Sequence, residues 1–282
     1  METIKRGLEK SVVGKTISDF DCNWHKMINK DLKEYRKILK VLKITAVRRR
    51  AKMLILDLTK DWHFLIHLKM TGQLVYSDKV KCVVGGHPIE QGYDCLPNKF
   101  THATISFSDK SHLYFNDIRK FGWIRLFTTE QLAKQFEDMK LGTEPLSPEF
   151  TIKYLKEWIK KRPNNQLKKF LMDSSVVVGV GNIYSDEVCF YARVKPTRKV
   201  KDLTDKEIGL IYKGIKSILE ASIKAQGTTF RDFRNADGEA GGYSKKLKVY
   251  GKYGQTCPIC GGKIERIKMG GRSSSYCPKC QK

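Results

Sequence analysis

Apolar residues recur once per helical turn at Ile4, Leu8 and Val12, so the chain opens on a helix over Ile4 to Val13. From Gly14 to about Phe127 the pattern changes to short β-type runs: Val47 to Leu58 (VRRRAKMLILDL), Trp62 to Leu68, Ala103 to Ser108, and Leu113 to Tyr114. Glycines and polar turns separate them, which predicts an N-terminal β-rich domain with one flanking helix. The stretch Ser77 to Lys99 contains Gly85, Gly86, Pro88, Gly92 and Pro97 without a clear period, and reads as an irregular excursion from the sheet. Beyond it helical spacing dominates, over Thr129 to Met139, Ser147 to Lys160, Asn165 to Asp173, Ile183 to Ala192 and Asp205 to Gln226. Two of these helices carry start signals: Ser147 before Pro148, and Thr204 three residues before Glu207, a capping-box arrangement. Asn235 to Ser244 (NADGEAGGYS) is glycine-rich and reads as a mobile loop, a small β-hairpin closes the chain, and no internal repeat is present.

Composition narrows the class. The chain has 282 residues with 40% hydrophobic and 10% aromatic content, enough for two or three packed domains and unlike a disordered segment. Lys and Arg number 54 against 30 Asp and Glu, a formal charge of +24 that points to a polyanionic partner. A basic but merely solvated surface is the alternative. The placement of positive charge beside aromatic and glycine motifs favours the partner. No apolar run reaches the roughly 18 residues of a membrane span, and the N-terminus lacks a signal-peptide pattern, so a cytosolic protein is expected.

Of eight cysteines, Cys22, Cys82, Cys95 and Cys189 are scattered and read as free thiols. The other four form Cys257-Pro-Ile-Cys260 and Cys277-Pro-Lys-Cys280, 16 residues apart, the spacing of a two-knuckle zinc ribbon. Four thiolates leave no open position, so the one Zn2+ expected here is structural. Between the knuckles, Arg272 lies in the turn GGRSSSYC, where its guanidinium and the hydroxyls of Ser273 to Ser275 are suited to a phosphate.

A Gly-Val-Gly-Asn turn (Gly179 to Asn182) directly precedes the helix beginning near Ile183. Backbone N–H groups at such a start, with the Asn182 side chain, make a phosphate site, to which Lys168 and Lys169 on the preceding helix are candidate contributors. Alone, the turn is equally compatible with an ordinary helix–helix connection.

These segments in order, VVGVGNIYSDEV, GTTFRDF, KLKVYGKYGQTCPICG and YCPKCQK, resemble the formamidopyrimidine-DNA glycosylase and endonuclease VIII family, and more closely its formamidopyrimidine branch. The resemblance runs from Glu2 to Lys282. It implies an α+β multidomain protein: an N-terminal β-sandwich over 1–127, a linker over 128–146, a helix–two-turn–helix DNA-binding domain with a lesion-capping loop over 147–244, and a four-cysteine zinc finger over 245–282. Arg48-Arg-Arg-Ala-Lys52 is similar to the family's QRRAK, which implies that Lys52 acts in the glycosylase and lyase steps, with Arg272 in a supporting acid role. His67-Leu-Lys-Met70-Thr-Gly72 matches HLxMxG, and Asp117-Ile-Arg119-Lys-Phe121-Gly122 is similar to DPRRFG. The implied role for Met70, Arg119 and Phe121 is to fill the gap left by an extruded nucleotide; core packing is the plain alternative for Met70 and Phe121. His67, Lys168, Asn182 and Arg272 complete the implied DNA contacts. Two departures stand out: a longer Ser77 to Lys99 excursion, and Phe100 where relatives have a DNA-contacting histidine.

Relatives begin MPELPEVETIRRGL, and their exposed proline amine attacks the sugar's anomeric carbon with help from the adjacent glutamate. This chain begins Met1-Glu2-Thr3-Ile4, with Met1 at the position of the family's valine, so that proline and glutamate are not in it. A start codon placed too late is the favoured explanation, and a non-catalytic lesion-binding protein is the rival. The expected activity is base-excision repair of duplex DNA: removal of oxidised purines such as 8-oxoguanine and formamidopyrimidines, then abasic-site lyase chemistry through a Schiff base. The expected partner is damaged double-stranded DNA, bound by a monomer in the bacterial cytosol without membrane, nucleotide or redox cofactor.

Overall fold

The computed structural model describes residues 1–78, 82–86, 96–228 and 241–282, which form two compact units, 1–139 with 225–244 and 140–224 with 245–282. The expected lesion-capping loop falls mostly outside the described residues, as does much of the 77–99 excursion.

The first unit is a β-sandwich. Helix α1 (Glu2–Val12) buries Ile4, Leu8 and Val12, the three positions that the helical period marks. Strand β1 (Ile17–Cys22) leads into helix α2 (Leu32–Leu39), which the sequence pattern does not flag. Only Tyr35 and Leu39 of α2 are buried, an i, i+4 pair inside a Lys- and Arg-rich run; Asp31 caps its start by accepting from the Glu34 N–H at 2.8 Å. Strands β2 (Ile44–Arg50) and β3 (Met53–Leu58) replace the single run expected over Val47 to Leu58. They meet at Ala51-Lys52, where Ala51 adopts φ 54° without a glycine or asparagine to mark the turn.

Strands β4 (Trp62–His67), β5 (Gly72–Ser77), β6 (Cys82–Gly86), β7 (Thr101–Phe107), β8 (His112–Asp117) and β9 (Trp123–Thr128) complete two sheets, ordered β2-β3-β4-β9 and β1-β7-β8-β5-β6, with every pairing antiparallel. Strand β6 thus makes part of the excursion an edge strand. Val47, Leu54, Leu56, Phe64 and Leu126 of one sheet share a core with Phe20, Leu74, Ile105 and Phe115 of the other. Helix α3 (Thr129–Asp138), inside the expected linker, carries a full capping box from Thr128 to Gln131 and packs on β4 and β9.

The second unit holds helices α4 (Ile152–Lys161), α5 (Leu167–Met172), α6 (Asn182–Tyr191) and α7 (Asp205–Lys224), and the hairpin β10 (Glu265–Met269) and β11 (Arg272–Tyr276). Helix α4 does not start at Ser147. Its cap is Thr151, which accepts from the Tyr154 N–H, while Ser147 closes a turn on the Glu144 carbonyl. The Thr204–Glu207 capping box forms as expected.

Candidate nucleic-acid interface and zinc centre

Two neighbouring loops of the sandwich carry the exposed apolar tip. The β4–β5 loop presents Met70 at 59% exposure and the β8–β9 loop presents Phe121 at 54%. The Arg119 guanidinium lies 4.8 Å from the Phe121 ring centre, and its Nη1 is 3.3 Å from the Met70 sulfur, so cation, ring and thioether form one projecting cluster. Exposure on this scale removes the core-packing alternative for both apolar side chains.

The cluster is held from beneath by Asp117, a fully buried carboxylate. It accepts from the backbone N–H of Arg119 at 3.1 Å, from that of Gly122 at 2.6 Å, and from the Thr71 hydroxyl. Gly122 is required, because a Cβ there would lie 2.7 Å from the Phe115 ring. Motif matching alone gave Asp117 and Thr71 no role, although a lone acid beside Arg119 and Lys120 in a basic motif is the signal that could have found Asp117.

Lys52 is exposed at the tip of the β2–β3 hairpin, beside His67, since its neighbour Met53 pairs with His67 in the β3–β4 register. His67 Nδ1 accepts from the Lys69 N–H at 2.9 Å, which fixes the Nε2–H tautomer. Burial, reinforced by Lys69 and Lys52, lowers its pKa to about 4. At neutral pH His67 is therefore an uncharged donor.

In the second unit the buried turn Val176 to Val180 delivers α6, with Gly179 at φ 85° and Gly181 as the cap. Asn182, the first helical residue, donates to the Tyr250 hydroxyl at 3.3 Å, and its Oδ1 is buried without a partner.

Lys168 does not join this group at the surface. It is 2% exposed, its ammonium lies 2.7 Å from Asp186 and 2.9 Å from the Ser273 carbonyl, and it therefore cannot reach a phosphate. Ser274 and Ser275 are likewise turned inward: the Ser274 hydroxyl and the Ser275 N–H both donate to Asp186. The next residue, Glu187, accepts from the N–H groups of Lys248, Val249 and Tyr250, each at 2.9 Å. Burial raises the pKa of both carboxyls, opposed by Lys168 for Asp186 and by the three backbone donors for Glu187. Adjacent acids of α6 thus fasten strand β11 and the segment that leads into the finger, and leave Arg272 exposed beside the hairpin's glycine tip.

Four sulfurs, of Cys257, Cys260, Cys277 and Cys280, lie within 4.8 Å of one another, with Cys257–Cys280 at 3.8 Å and Cys260–Cys277 at 3.4 Å. Tetrahedral zinc with Zn–S bonds of about 2.3 Å needs sulfurs about 3.8 Å apart, so the set fits one structural ion. Hydrogen bonds, led by the one with Gly262, lower the Cys260 thiol to about 7, whereas burial raises the Cys277 and Cys280 thiols, whose protons a metal would have to displace. Of the remaining thiols among the described residues, Cys22 and Cys189 are buried and free.

Family models match three successive stretches: the formamidopyrimidine-DNA glycosylase N-terminal domain over 1–124, its H2TH domain over 141–234, and the zinc finger found in FPG and IleRS over 254–282. The chain is 38% identical to the formamidopyrimidine-DNA glycosylase of Pelotomaculum thermopropionicum, with 100% of this chain and 97% of the relative covered. It is also 38% identical to that of Listeria innocua, with 100% and 98% covered. Among solved structures, Lactococcus lactis Fpg in complex with abasic-site DNA superposes with a TM-score of 0.87 at 32% identity, covering 99% of this chain and 97% of that one. A complex of the same enzyme with DNA containing an oxidized pyrimidine gives 0.86 at the same identity and coverage. Motif order, sandwich, glycine turn and cysteine cluster agree with these matches along the whole chain, which belongs to the formamidopyrimidine-DNA glycosylase family.

Proposed function

We propose that the protein is a base-excision DNA glycosylase with abasic-site lyase activity that acts on oxidised lesions in duplex DNA, oxidised purines first among them. The observation that carries this is the Met70–Arg119–Phe121 cluster, an apolar and cationic plug projecting from one edge of the sandwich. Extruding a nucleotide costs a few kcal/mol of stacking and pairing, and a plug that fills the gap recovers part of it. Arg119 supplies donors for the base left without a partner, and the neutral His67, the half-buried Asn182 at the start of α6 and the exposed Arg272 supply donors for phosphates. Lys168 enters as a positioning residue for the hairpin, not as a phosphate ligand. Lys52, at an exposed turn beside His67, is suited to proton transfer during base loss and elimination, with Arg272 in a supporting acid role. The covalent step is an imine between a protein amine and the sugar's anomeric carbon: the amine displaces the damaged base, which leaves with a proton, or displaces water at a ready-made abasic site, the sugar ring opens as the imine forms, and hydrolysis clears it after strand scission. Zinc holds the hairpin and takes no part in bond making. The same reading has the protein working as a monomer in the bacterial cytosol, with functional boundaries at 127, 146 and 244.

Borohydride trapping on a duplex with 8-oxoguanine opposite cytosine tests this, using the chain as printed and a version extended by the family's PELPE start. A covalent complex with either version, absent on undamaged duplex, is expected. Binding by both without any crosslink or incision would overturn the catalytic claim.

A further inference from the structure

The sheet that carries the Arg119 and Phe121 loop continues past it. Along the order β5, β8, β7, β1 the strand ends lie side by side, as the pairs Gly72–Asp117, Thr101–Asn116 and Cys22–Ala103 show. At that edge Met70 precedes β5, Arg119 and Phe121 follow β8, Lys99 and Phe100 precede β7, and Trp24 follows β1. Every position beyond Met70 bears a cation stacked on a ring. Arg119 lies over Phe121, Lys99 lies 5.1 Å over Phe100, and Lys120 and Lys26 lie 4.6 and 5.8 Å over the single indole of Trp24.

Trp24 is half-buried against the sandwich core, and its carbonyl accepts from the Met27 N–H at 2.9 Å, so the indole is a fixed platform. Lys120 reaches it from a backbone at φ 57°, a conformation unfavourable for lysine that is enforced on either side by the two N–H bonds to Asp117. The acids nearby are engaged elsewhere: Asp19 and Asp21 with Arg36, and Glu34 with Lys30. Lys26, Lys99 and Lys120 are exposed and form no ion pair among the described residues. Two ammonium groups held on one ring without a counter-ion have the chemistry of a phosphodiester grip.

We propose that Trp24, Lys26 and Lys120 form a second backbone grip, which takes the phosphates of a duplex flank beside the plug. Adjacent strands are about 4.8 Å apart, so the grip stands two strands, roughly 10 Å, from β8. That distance corresponds to about three base-pair steps at about 3.4 Å each. The inference rests on the base-excision reading above and gives the enzyme a one-sided demand for intact duplex next to the lesion.

The test is equilibrium binding to a duplex containing a tetrahydrofuran abasic-site analogue, with either flank full-length or cut to about two base pairs, a length chosen to fall short of the three steps above. The full-length chain is compared with Lys26→Ala/Lys120→Gly and with Trp24→Ala. Wild type should lose about tenfold when one particular flank is cut and little when the other is. The double variant should bind the full duplex about tenfold more weakly, ignore the cut, and show a log–log salt slope smaller by about 2, as expected for two lost phosphate contacts. Lys120→Gly alone should melt no lower than wild type, because glycine accepts the positive φ, so loss of binding there is not loss of fold. Wild-type affinity and salt slope in the double variant, or an equal loss on every duplex whatever its flanks, would overturn the grip. If wild type binds full-length lesion and undamaged duplex equally well while the double variant binds both about tenfold more weakly with the smaller salt slope, the grip stands and the base-excision reading falls.

Discussion

The Thr71 hydroxyl donates to the buried carboxylate of Asp117, and through that bond the loop bearing Met70 is tied to the loop bearing Arg119 and Phe121. Removing the acid strands the buried Gly122 N–H, takes the acceptor from the Thr71 hydroxyl and leaves the Arg119 N–H only its 3.2 Å bond to that hydroxyl, whereas removing the hydroxyl strands no donor. Asp117→Ala should therefore cost roughly 3 kcal/mol or more, and Thr71→Val about 1 kcal/mol, in urea unfolding. Both should weaken binding to lesion duplex more than binding to undamaged duplex, since the plug is what loosens. Equal losses on the two duplexes would show that Asp117 supports the sandwich without setting the plug.

Lys168 and Asp186 form a buried pair, 2% and 0% exposed at their side chains. Lys168→Met leaves the buried carboxylate without its counter-ion and should cost about 3–5 kcal/mol, and adding Asp186→Leu should recover little of it, because the Ser274 hydroxyl and the Ser275 N–H then lose their buried acceptor. Because Lys168 meets no phosphate, the single variant should lose affinity with little change in the salt dependence of binding. A slope reduced by about 1 would instead place its charge on the DNA.

Zinc removal should act on the second unit alone. A chelator, or Cys260→Ser, should lower bound zinc from one ion per chain to none and abolish lesion-duplex binding. The near-ultraviolet signal of the sandwich aromatics should persist, because that unit has its own core. Collapse of that signal would contradict the division into two units.

His67 makes stability depend on pH in a defined direction. Its folded pKa of about 4 lies below the ordinary 6.5. Between those values the unfolded chain binds a proton that the folded chain refuses, so stability falls as pH drops from about 6.5 to about 4. Comparing thermal melts at pH 7 and pH 5, His67→Gln should narrow the gap between the two. An unchanged gap would mean that other groups set the acid sensitivity.

Much of this molecule was legible in its sequence, for identifiable reasons. Helix α1 and the Thr204 cap were readable because period and capping are local properties. The cysteine cluster was readable because ligand spacing is written directly in the chain. The hairpin at Ala51-Lys52 was not, because its left-handed residue is an alanine and no glycine, asparagine or proline separates β2 from β3. Helix α2 was hidden because two apolar positions carry its packing. Lys168 was misassigned because nothing local distinguishes a lysine that meets Asp186, 18 residues later, and the Ser273 carbonyl, 105 residues later, from one that faces solvent. Its neighbour Lys169 is exposed on the same helix.

The terminal hairpin owns very little of what supports it. Beneath the cysteines, Phe190 of α6 packs with Val249, Cys257, Ile264 and Cys277, and Asp186 and Glu187 of that same helix fasten strand β11 and the 248–250 segment that leads into the finger. An excised 245–282 peptide would retain its metal ligands yet forfeit its hydrophobic floor and both anchors. Transplanting this finger onto another scaffold therefore means carrying α6 along with it: helix and finger are inherited as one part.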